Sequence, residues 1–364
     1  MKVLKFGGTS VGSAQRMKEV AKLITDGERK IVVLSAMSGT TNTLVEISDY
    51  LYKKNPEGAN EIINKLESKY RQHIDELFAT PEYKQKGLEL IKSHFDYIRS
   101  YTKDLFTLFE EKVVLAQGEL ISTAMMNYYL QECGVKSVLL PALEYMRTDK
   151  NAEPDPVYIK DKLQVQLELH PDAEIYITQG YICRNAYGEI DNLQRGGSDY
   201  TASLIGAAIN ASEIQIWTDI DGMHNNDPRI VDKTAPVRHL HFEEAAELAY
   251  FGAKILHPTC IQPAKYANIP VRLLNTMDPT APGTLISNDT EKGKIKAVAA
   301  KDNITAIKIK SSRMLLAHGF LRKVFEIFES YQTSIDMICT SEVGVSVSID
   351  NVKHLNEILD DLKK

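Results

Sequence analysis

Short apolar segments alternate along the chain with segments of helical periodicity. Lys2–Phe6 is β-prone and ends at a glycine pair, and apolar residues at helical spacing follow over Ala14–Ile24. Residues 30–35 are almost continuously apolar, which is typical of a strand buried on both faces of a parallel sheet. The order of strand, glycine turn, helix and strand predicts a βαβ unit.

The alternation continues to residue 290, with one long helical interruption. Apolar residues at helical spacing, with a break around Pro81 and Gly87, predict a helical hairpin over residues 58–110. Further strands are predicted at residues 113–116, 137–140, 174–178, 213–218 and 270–274, and further helices at residues 120–131, 199–210 and 242–251. These elements predict one α/β domain over residues 1–290, with an open, mainly parallel sheet between layers of helices.

A segment rich in Pro, Gly and Thr at residues 279–294 marks a domain boundary. After it, the pattern predicts a strand at 304–310, a helix at 319–331, strands at 334–340 and 343–349, and a helix at 351–363. This βαββα order is one strand short of the ferredoxin-like βαββαβ unit. We therefore expect an incomplete second domain over residues 295–364. Either another chain supplies the missing strand, or the sequence is a fragment of a longer protein.

Composition and charge exclude several classes of protein. Hydrophobic residues make up 43% and charged residues 25% of the 364 residues, as in a globular protein with a full core. The net charge of -6, without a cluster of Lys and Arg, argues against nucleic-acid binding. No apolar run approaches the roughly 18 residues that span a membrane. Scattered cysteines and the absence of a signal sequence predict reduced, mostly buried thiols and a cytoplasmic location.

The glycine pair Gly7-Gly8 lies where a predicted strand gives way to a helix. Backbone N–H groups in such a turn favour an anion such as phosphate, and Lys5 precedes them with a positive charge. The turn lacks the Lys-Ser/Thr pair of a P-loop, and the chain has no G-x-G-x-x-G motif. The alternative is an ordinary tight turn.

A second glycine pair opens the helix predicted at 199–210. Arg195 precedes this pair and is suited to bidentate contact with a carboxylate or phosphate. Ser198 and Asp199 follow the pair, and Asp199 could serve only as a helix cap. Both glycine turns are expected at the carboxyl edge of the sheet, where ligands bind in open α/β folds.

Charged and hydroxyl side chains recur at further predicted turns. Thr218 and Asp219 end a strand and suit ribose or metal contacts, and Arg229, which follows Asp227, suits a phosphate; ordinary turn chemistry is the alternative. Lys254 follows a helix, where a cation also complements the helix dipole.

Two candidates come earlier in the chain. Glu119 stands at a predicted helix start, where a dipole or capping role is the alternative. Thr41 belongs to a small-residue loop at residues 35–42 that a ligand could approach closely. His239 and His241 lack a further ligand at zinc spacing, so we predict no metal site within the protein.

Six separated motifs carry a resemblance to a known family. They are Lys5-Phe6-Gly7-Gly8-Thr9-Ser10, Gln117-Gly118-Glu119, Arg195-Gly196-Gly197-Ser198-Asp199-Tyr200-Thr201, Trp217-Thr218-Asp219, Asn226-Asp227-Pro228-Arg229 and Phe251-Gly252-Ala253-Lys254-Ile255-Leu256-His257-Pro258. In these motifs, and over essentially its whole length, the chain resembles the aspartokinase family. The resemblance implies an amino acid kinase fold followed by ACT modules. The implied reaction transfers the ATP γ-phosphoryl group to the side-chain carboxylate of L-aspartate, with Mg²⁺ as the counter-ion, in the biosynthesis of lysine, threonine and methionine.

The resemblance also implies roles for individual residues. At the phosphoryl group, the resemblance implies that Lys5 neutralises charge and that Gly7 and Gly8 contact the group through their backbone N–H groups. It implies that Asp199 organises the reacting groups. Those implied for aspartate are Arg195 at a carboxylate, Glu119 at the ammonium, and the hydroxyls of Thr41 and Ser198. Those implied for the nucleotide are Thr218, Asp219, Asp227, Arg229 and Lys254, beside Lys5 and the glycine turn.

The second domain resembles an effector-binding ACT module. This resemblance implies a homodimer if that region is complete. The effector residues implied are Met314, Gly319, Phe320, Leu321, Asp336, Ser341 and Glu342, with lysine or threonine as the effector. In relatives, the first strand after the catalytic domain belongs to a second module, and here that strand is expected at residues 295–300. Many relatives carry an aromatic residue where His224 stands.

Three other functions stay open at this point. The chain could be the kinase part of a bifunctional aspartokinase–homoserine dehydrogenase. It could also be a regulatory protein that binds amino acids without catalysis, although Lys5, Arg195 and Asp199 argue against this. A kinase for another carboxylate or for a nucleotide is the third alternative, and Glu119 opposite Arg195 favours a zwitterionic substrate instead.

Overall fold

The computed structural model describes residues 1–193, 196–250, 256–289, 295–311 and 318–364. These residues form two compact units, Met1–Ala299 and Ala300–Lys364. The division falls between residues 299 and 300, a few residues after the boundary segment predicted at 279–294.

The first unit is built on a mainly parallel sheet, which has eight strands among the described residues. The strands are β1 (Lys2–Phe6), β2 (Lys30–Leu34), β3 (Ser137–Leu140), β4 (Ile175–Gln179), β7 (Ile214–Thr218), β8 (His239–His241), β9 (Val271–Asn275) and β10 (Thr284–Ser287). Their order is β3-β4-β2-β1-β7-β9-β10-β8, and only the β9–β10 pair is antiparallel. A separate hairpin pairs β5 (Ile182–Arg184) with β6 (Ile190–Asn192).

Helices cover both faces of this sheet, as predicted. They are α1 (Ala14–Ile24), α2 (Thr40–Tyr52), α3 (Pro56–Leu77), α4 (Pro81–Ser100), α5 (Leu108–Glu132), α6 (Ala142–Tyr145), α7 (Pro156–Glu168), α8 (Gly197–Ala208), α9 (Phe242–Tyr250) and α10 (Gln262–Tyr266). Alternate residues of β2 enter different cores: Val32 and Leu34 lie in one, and Ile31 and Val33 in the other. Every residue of β2 is therefore buried, which explains its continuous apolar sequence.

The strand predicted at residues 113–116 is wrong, because these residues lie inside the long helix α5. The helix predicted at 120–131 is only the second half of α5. From Val113 to Met126 almost every residue is buried, so this helix has no polar face that would reveal its period. Glu119 consequently lies in the middle of a buried helix, and the prediction that it starts a helix is wrong as well.

The helical hairpin consists of α3 and α4 and ends at Ser100, earlier than predicted. Gly87 lies inside α4 and not in the break between the helices. A Cβ there would lie 2.7 Å from Cδ1 of Ile74, so the glycine lets the two helices pack closely. The sequence patterns missed the short elements β5, β6, β8, β10, α6 and α10. They also missed two longer helices: α7, and α2, which begins inside the predicted loop at 35–42.

The second unit has the βαββα order that the sequence predicted. It comprises β11 (Thr305–Lys310), α11 (Phe320–Ser330), β12 (Met337–Ser341), β13 (Gly344–Ile349) and α12 (Leu355–Leu362). The antiparallel sheet has the order β11-β13-β12, and Val324, Phe328 and Val347 belong to its core. Residues 295–300 form no strand, so that expectation is wrong.

Two further expectations concern the cysteines and the membrane. Cys183 and Cys260 are buried, but Cys133 and Cys339 are exposed, so the thiols are not mostly buried. Within the residues that the structure describes, no helix combines the length and the apolar character that crossing a bilayer requires.

Candidate functional site

Parallel pairing brings the ends of four strands together at one edge of the large sheet. β1 lies between β2 and β7, and β2 also pairs with β4, all in parallel. The segments that leave these strands therefore meet at the carboxyl edge. They include the glycine turn after β1, residues 35–41 after β2, Gly180 after β4 and Asp219 after β7.

An ion pair joins β1 to the start of α8. Nζ of Lys5 lies 2.7 Å from Oδ1 of Asp199, and the side chains are only 12% and 17% exposed. Gly196 is the N-cap residue of α8, with a φ of 76° and no side-chain cap. Asp199 is thus in the first turn, and its carboxylate faces the lysine. Asp199 is therefore not the N-cap residue of α8.

The turn after β1 packs directly against the segment that leaves β2. The backbone N–H of Ser38 donates to the carbonyl oxygen of Gly8 over 3.1 Å. A Cβ on Gly8 would lie 2.9 Å from the carbonyl oxygen of Ala36, and one on Gly7 would lie 3.5 Å from Nζ of Lys5. Gly8 is therefore required for close backbone approach.

Glu119 reaches the same segment from helix α5 and is only 4% exposed. Its Oε1 accepts a hydrogen bond from the backbone N–H of Ala36 at 3.3 Å. Within the described part of the chain, its buried Oε2 has no hydrogen-bond partner. Burial raises the pKa of this carboxyl to about 7, against the hydrogen bond from Ala36, which lowers it. A buried carboxylate with a free oxygen is suited to receive a cationic group of a ligand.

Ser198 and Thr41 occupy different surroundings at this edge. The hydroxyl of Ser35 donates to Oγ of Ser198 over 2.8 Å. Thr41 lies in the first turn of α2 and is half-buried, and its neighbour Thr40 is the residue that shares a 2.7 Å hydrogen bond with the hydroxyl of Tyr70. Sequence reasoning placed Ser35, Ala36 and Thr40 in the small-residue loop at 35–42 without individual roles, and it missed Tyr70, which belongs to no motif with a recognisable chemistry.

Four of the predicted nucleotide residues lie at or after the end of β7. The hydroxyl of Thr218 donates to the carbonyl oxygen of Ile220 at 3.2 Å, and Asp219 is exposed. Nε of Arg229 lies 2.9 Å from Oδ1 of Asp227, so these two side chains form an ion pair. Arg195 and Lys254 lie outside the described residues.

Two aromatic or heteroaromatic side chains also lie in this region. Trp217 is the second-to-last residue of β7 and stacks on Phe6, with ring centroids 5.6 Å apart. Nδ1 of His224 is 2.8 Å from the hydroxyl oxygen of Thr234. The ring of His224 is therefore held by a neighbour on its own loop.

The described residues that were predicted to bind an effector belong to the second unit. Gly319, Phe320 and Leu321 lie at the start of α11, and Glu342 lies in the turn between β12 and β13. Asp336 immediately precedes the five-residue strand β12, and Ser341 is its last residue. Met314 lies outside the described residues.

Comparison with known proteins identifies the class to which this fold and site belong. The sequence model of the amino acid kinase family matches residues 1–275. The chain is 37% identical to aspartokinase 1, chloroplastic, of Arabidopsis thaliana over 383 residues, which covers 100% of this chain and 67% of that protein. It is 35% identical to lysine-sensitive aspartokinase 3 of Escherichia coli over 353 residues, covering 96% of this chain and 78% of that protein.

Solved structures show the same relationship. The crystal structure of E. coli aspartokinase III in complex with aspartate and ADP has a TM-score of 0.84 and 33% identity, covering 96% of this chain and 79% of that one. The structure of the same enzyme with lysine and aspartate has a TM-score of 0.80. The chain therefore belongs to the aspartokinases, within the amino acid kinase family. It spans about two thirds of the length of the Arabidopsis relative.

Proposed function

We propose that this chain catalyses the ATP-dependent phosphorylation of the side-chain carboxylate of L-aspartate, giving 4-phospho-L-aspartate. One observation carries the proposal: the glycine turn to which we assign the phosphate and the carboxylate to which we assign the ammonium both lie against Ala36. Gly8 lies against the carbonyl oxygen of Ala36, and Glu119 accepts the N–H of Ala36. The two proposed subsites thus adjoin the N–H and the carbonyl oxygen of one residue, Ala36. A phosphoryl donor and a zwitterionic acceptor could therefore meet there.

On the donor side, we assign to Lys5 the role of neutralising the charge on the phosphoryl group that is transferred. The ion pair with Asp199 holds the ammonium at the carboxyl end of β1. The backbone of Gly7 and Gly8 offers N–H groups without a side chain in the way. Phosphoryl transfer depends mainly on positioning and on charge stabilisation, and these residues supply both.

On the acceptor side, we assign the α-ammonium of L-aspartate to Glu119. Its free Oε2 would gain an ion-paired partner in place of none. We assign a carboxylate of the substrate to Arg195, which precedes the glycine pair of α8 in sequence, and hydroxyl contacts to Ser198 and Thr41. The E. coli relative, crystallised with aspartate and ADP, supports this choice of acceptor.

We assign ATP to the loops after β7, and the ADP in the crystal structure of that relative supports a nucleotide as the phosphoryl donor. The residues proposed are Thr218, Asp219, Asp227, Arg229 and Lys254. Among the described residues, no cluster of three metal-binding side chains exists. Mg²⁺ commonly needs only one or two carboxylates beside the phosphates, so Asp199 and Asp219 fit a metal that arrives with the nucleotide. When bound, Mg²⁺ would neutralise phosphate charge.

We further propose that the second unit binds an amino-acid effector. The residues at the start of α11 and in the β12–β13 turn are the candidates, and lysine is the first ligand to test, since the second E. coli structure contains it. Titration calorimetry of the chain with lysine and with threonine measures this binding directly.

The test of the main proposal is aspartate-dependent ATP consumption, with the acyl phosphate trapped as a hydroxamate. Lys5→Met should abolish hydroxamate formation. Lys2→Met is the matched control, because Lys2 begins the same strand and pairs with Glu28 on the surface. Full activity of Lys5→Met would show that the role of Lys5 is wrong. Lysine binding without turnover of aspartate would favour a regulatory protein, and turnover of another carboxylate or of a nucleotide would correct the acceptor.

A further inference from the structure

The segment Ser35–Ser38, which leaves β2, is the point where the parts of the site meet. The N–H of Ser35 donates to the carbonyl oxygen of Phe6 at 3.2 Å, and the N–H of Ser38 donates to that of Gly8 at 3.1 Å. The hydroxyl of Ser35 donates to Ser198. One short segment therefore contacts the glycine turn and the start of α8.

Helix α5 is seated on this segment through consecutive turns. Ser122 donates its hydroxyl to the carbonyl oxygen of Ser35 at 2.8 Å, and Glu119 accepts the N–H of Ala36 at 3.3 Å. Gly118 faces the same place. A Cβ on Gly118 would lie 2.8 Å from Cβ of Ala36 and 3.3 Å from Cγ2 of Thr40. The helix can approach this closely only because residue 118 has no side chain.

Ala36 is thus held between two glycines that come from different elements. Its carbonyl oxygen lies 2.9 Å from the place that a Cβ of Gly8 would take, and its methyl group lies 2.8 Å from the place that a Cβ of Gly118 would take. Any shift of Ala36 would therefore change the spacing between the phosphate turn and Glu119. Ala36 is buried, and close-packed interiors transmit such shifts to the neighbouring groups.

We infer that Gly118 is a positioning residue of the proposed kinase reaction, and that its missing side chain fixes Glu119 and the Gly8 turn at one spacing through Ala36. This inference rests on the proposed function. Gly118 itself contacts neither substrate. It acts through Ala36, whose N–H and carbonyl oxygen face the two subsites.

Two substitutions test the inference by moving one methyl group. Gly118→Ala should lower kcat/KM for L-aspartate by about 100-fold, because displacements of about 1 Å at a reacting centre have effects of this size. The double variant Ala36→Gly/Gly118→Ala removes the methyl group against which the new Cβ would clash. It should recover most of the lost kcat/KM. The inference is wrong if Gly118→Ala keeps the original kcat/KM, or if the double variant is no better than Gly118→Ala.

Gly87→Ala is the matched control for a general effect on packing. Gly87 is also buried inside a helix, and a Cβ there would lie 2.7 Å from Ile74. The variant Gly87→Ala should change the thermal midpoint of unfolding without a change in kcat/KM for L-aspartate. If Gly118→Ala does not fold, the double variant decides the matter: it should fold and be active, and its failure to fold would contradict the inference.

A second measurement separates this inference from the proposed function. Trp217 is the only tryptophan of the chain and stacks on Phe6 beside the glycine turn, so its fluorescence should report MgADP binding. Gly118→Ala should weaken MgADP binding, and the double variant should restore it, whatever the acceptor is. If MgADP binds but aspartate is not phosphorylated, the acceptor is wrong and the inference stands. Equal MgADP affinity in all variants would overturn the inference.

Discussion

Two carboxylates at the same edge of the sheet differ in how their charge is met. Asp199, at the start of α8, is ion-paired with Lys5 and is 17% exposed. Glu119, in the middle of α5, is 4% exposed and has one oxygen without a partner in the described residues. In the described residues, the carboxylate of Asp199 has a cationic partner before a ligand binds, and no cationic partner is seen for the carboxylate of Glu119. Under the proposed function, the donor side is preorganised around the Lys5–Asp199 pair, whereas the acceptor side gains its cationic partner only when the substrate binds.

The largest effect should come from breaking the Lys5–Asp199 side of this comparison. Asp199→Asn should lower kcat by roughly 100- to 1,000-fold, the range for losing one preorganised electrostatic group, because the Lys5 ammonium loses its anchor. Steady-state kinetics at saturating aspartate and ATP measures kcat.

The control for Asp199→Asn is Glu213→Gln. The Glu213 side chain is also 17% exposed and pairs with Arg272, but it precedes β7 at the opposite edge of the sheet. Its kcat should stay unchanged. Equal losses in the two variants would mean that the Lys5–Asp199 pair serves stability alone.

The next effect should appear when the charge of Glu119 is removed. Glu119→Gln should raise KM for L-aspartate by roughly 10- to 100-fold, because a charge-assisted contact is worth about 1.5–3 kcal/mol, and KM for ATP should not change. Without substrate, the variant should unfold at a higher temperature than the original protein, since an unpaired buried carboxylate destabilises the fold. An unchanged KM for aspartate would show that Glu119 does not bind the acceptor.

Protonation of Glu119 sharpens the same comparison without a mutation. As the pH falls through about 7, this carboxyl takes up a proton and loses the charge that would attract the substrate ammonium. KM for L-aspartate should therefore rise by about tenfold for each pH unit below 7. Glu119→Gln should abolish this dependence.

The pKa of Glu119 also gives the sign of a stability change. In the folded state it is raised from 4.5 to about 7, so the folded protein binds this proton more tightly than the unfolded chain does. The contribution of Glu119 to the free energy of unfolding should accordingly fall as the pH rises from 4.5 to 7. Urea unfolding of the original protein and of Glu119→Gln, compared at both pH values, measures it.

The smallest effect should follow from loosening the support of the acceptor side. Tyr70→Phe removes the 2.7 Å hydrogen bond between two buried hydroxyls and leaves Thr40 without that partner. The free energy of unfolding should fall by about 1 kcal/mol, as measured by urea denaturation. The double variant Tyr70→Phe/Thr40→Val removes both hydroxyls and should regain part of the lost free energy of unfolding. If the second substitution instead lowers the free energy of unfolding by a similar amount again, the two hydroxyls do not depend on each other.

Much of the fold and the donor side could be predicted from local sequence. β1, β2 and the βαββα order of the second unit follow from runs and periods a few residues long. Lys5 and the glycine turn are adjacent in the chain, so one motif contains both. The resemblance to the aspartokinase family also rests on such short motifs, and the comparisons confirm it.

The acceptor side could be predicted less well, because its contacts are distant in sequence. Glu119 and Ala36 are 83 residues apart, and no local pattern joins them. α5 is buried all round, so its period was invisible and residues 113–116 were mistaken for a strand. Gly118 belongs to a recognised motif, but only its packing against Ala36 explains why a residue without a side chain is needed there.

The burial of α5 has a consequence for the time scale on which the two sides of the site open. Amide protons in the centre of α5 are shielded by the sheet and by the helical hairpin, so their exchange with solvent should require unfolding of the whole first unit. Asp219 and the loop that carries Asp227 and Arg229 should exchange through local opening instead. Hydrogen exchange would then find Glu119 in the slowest part of the protein, and the proposed nucleotide loops would admit and release their ligand while the acceptor carboxylate stays in place.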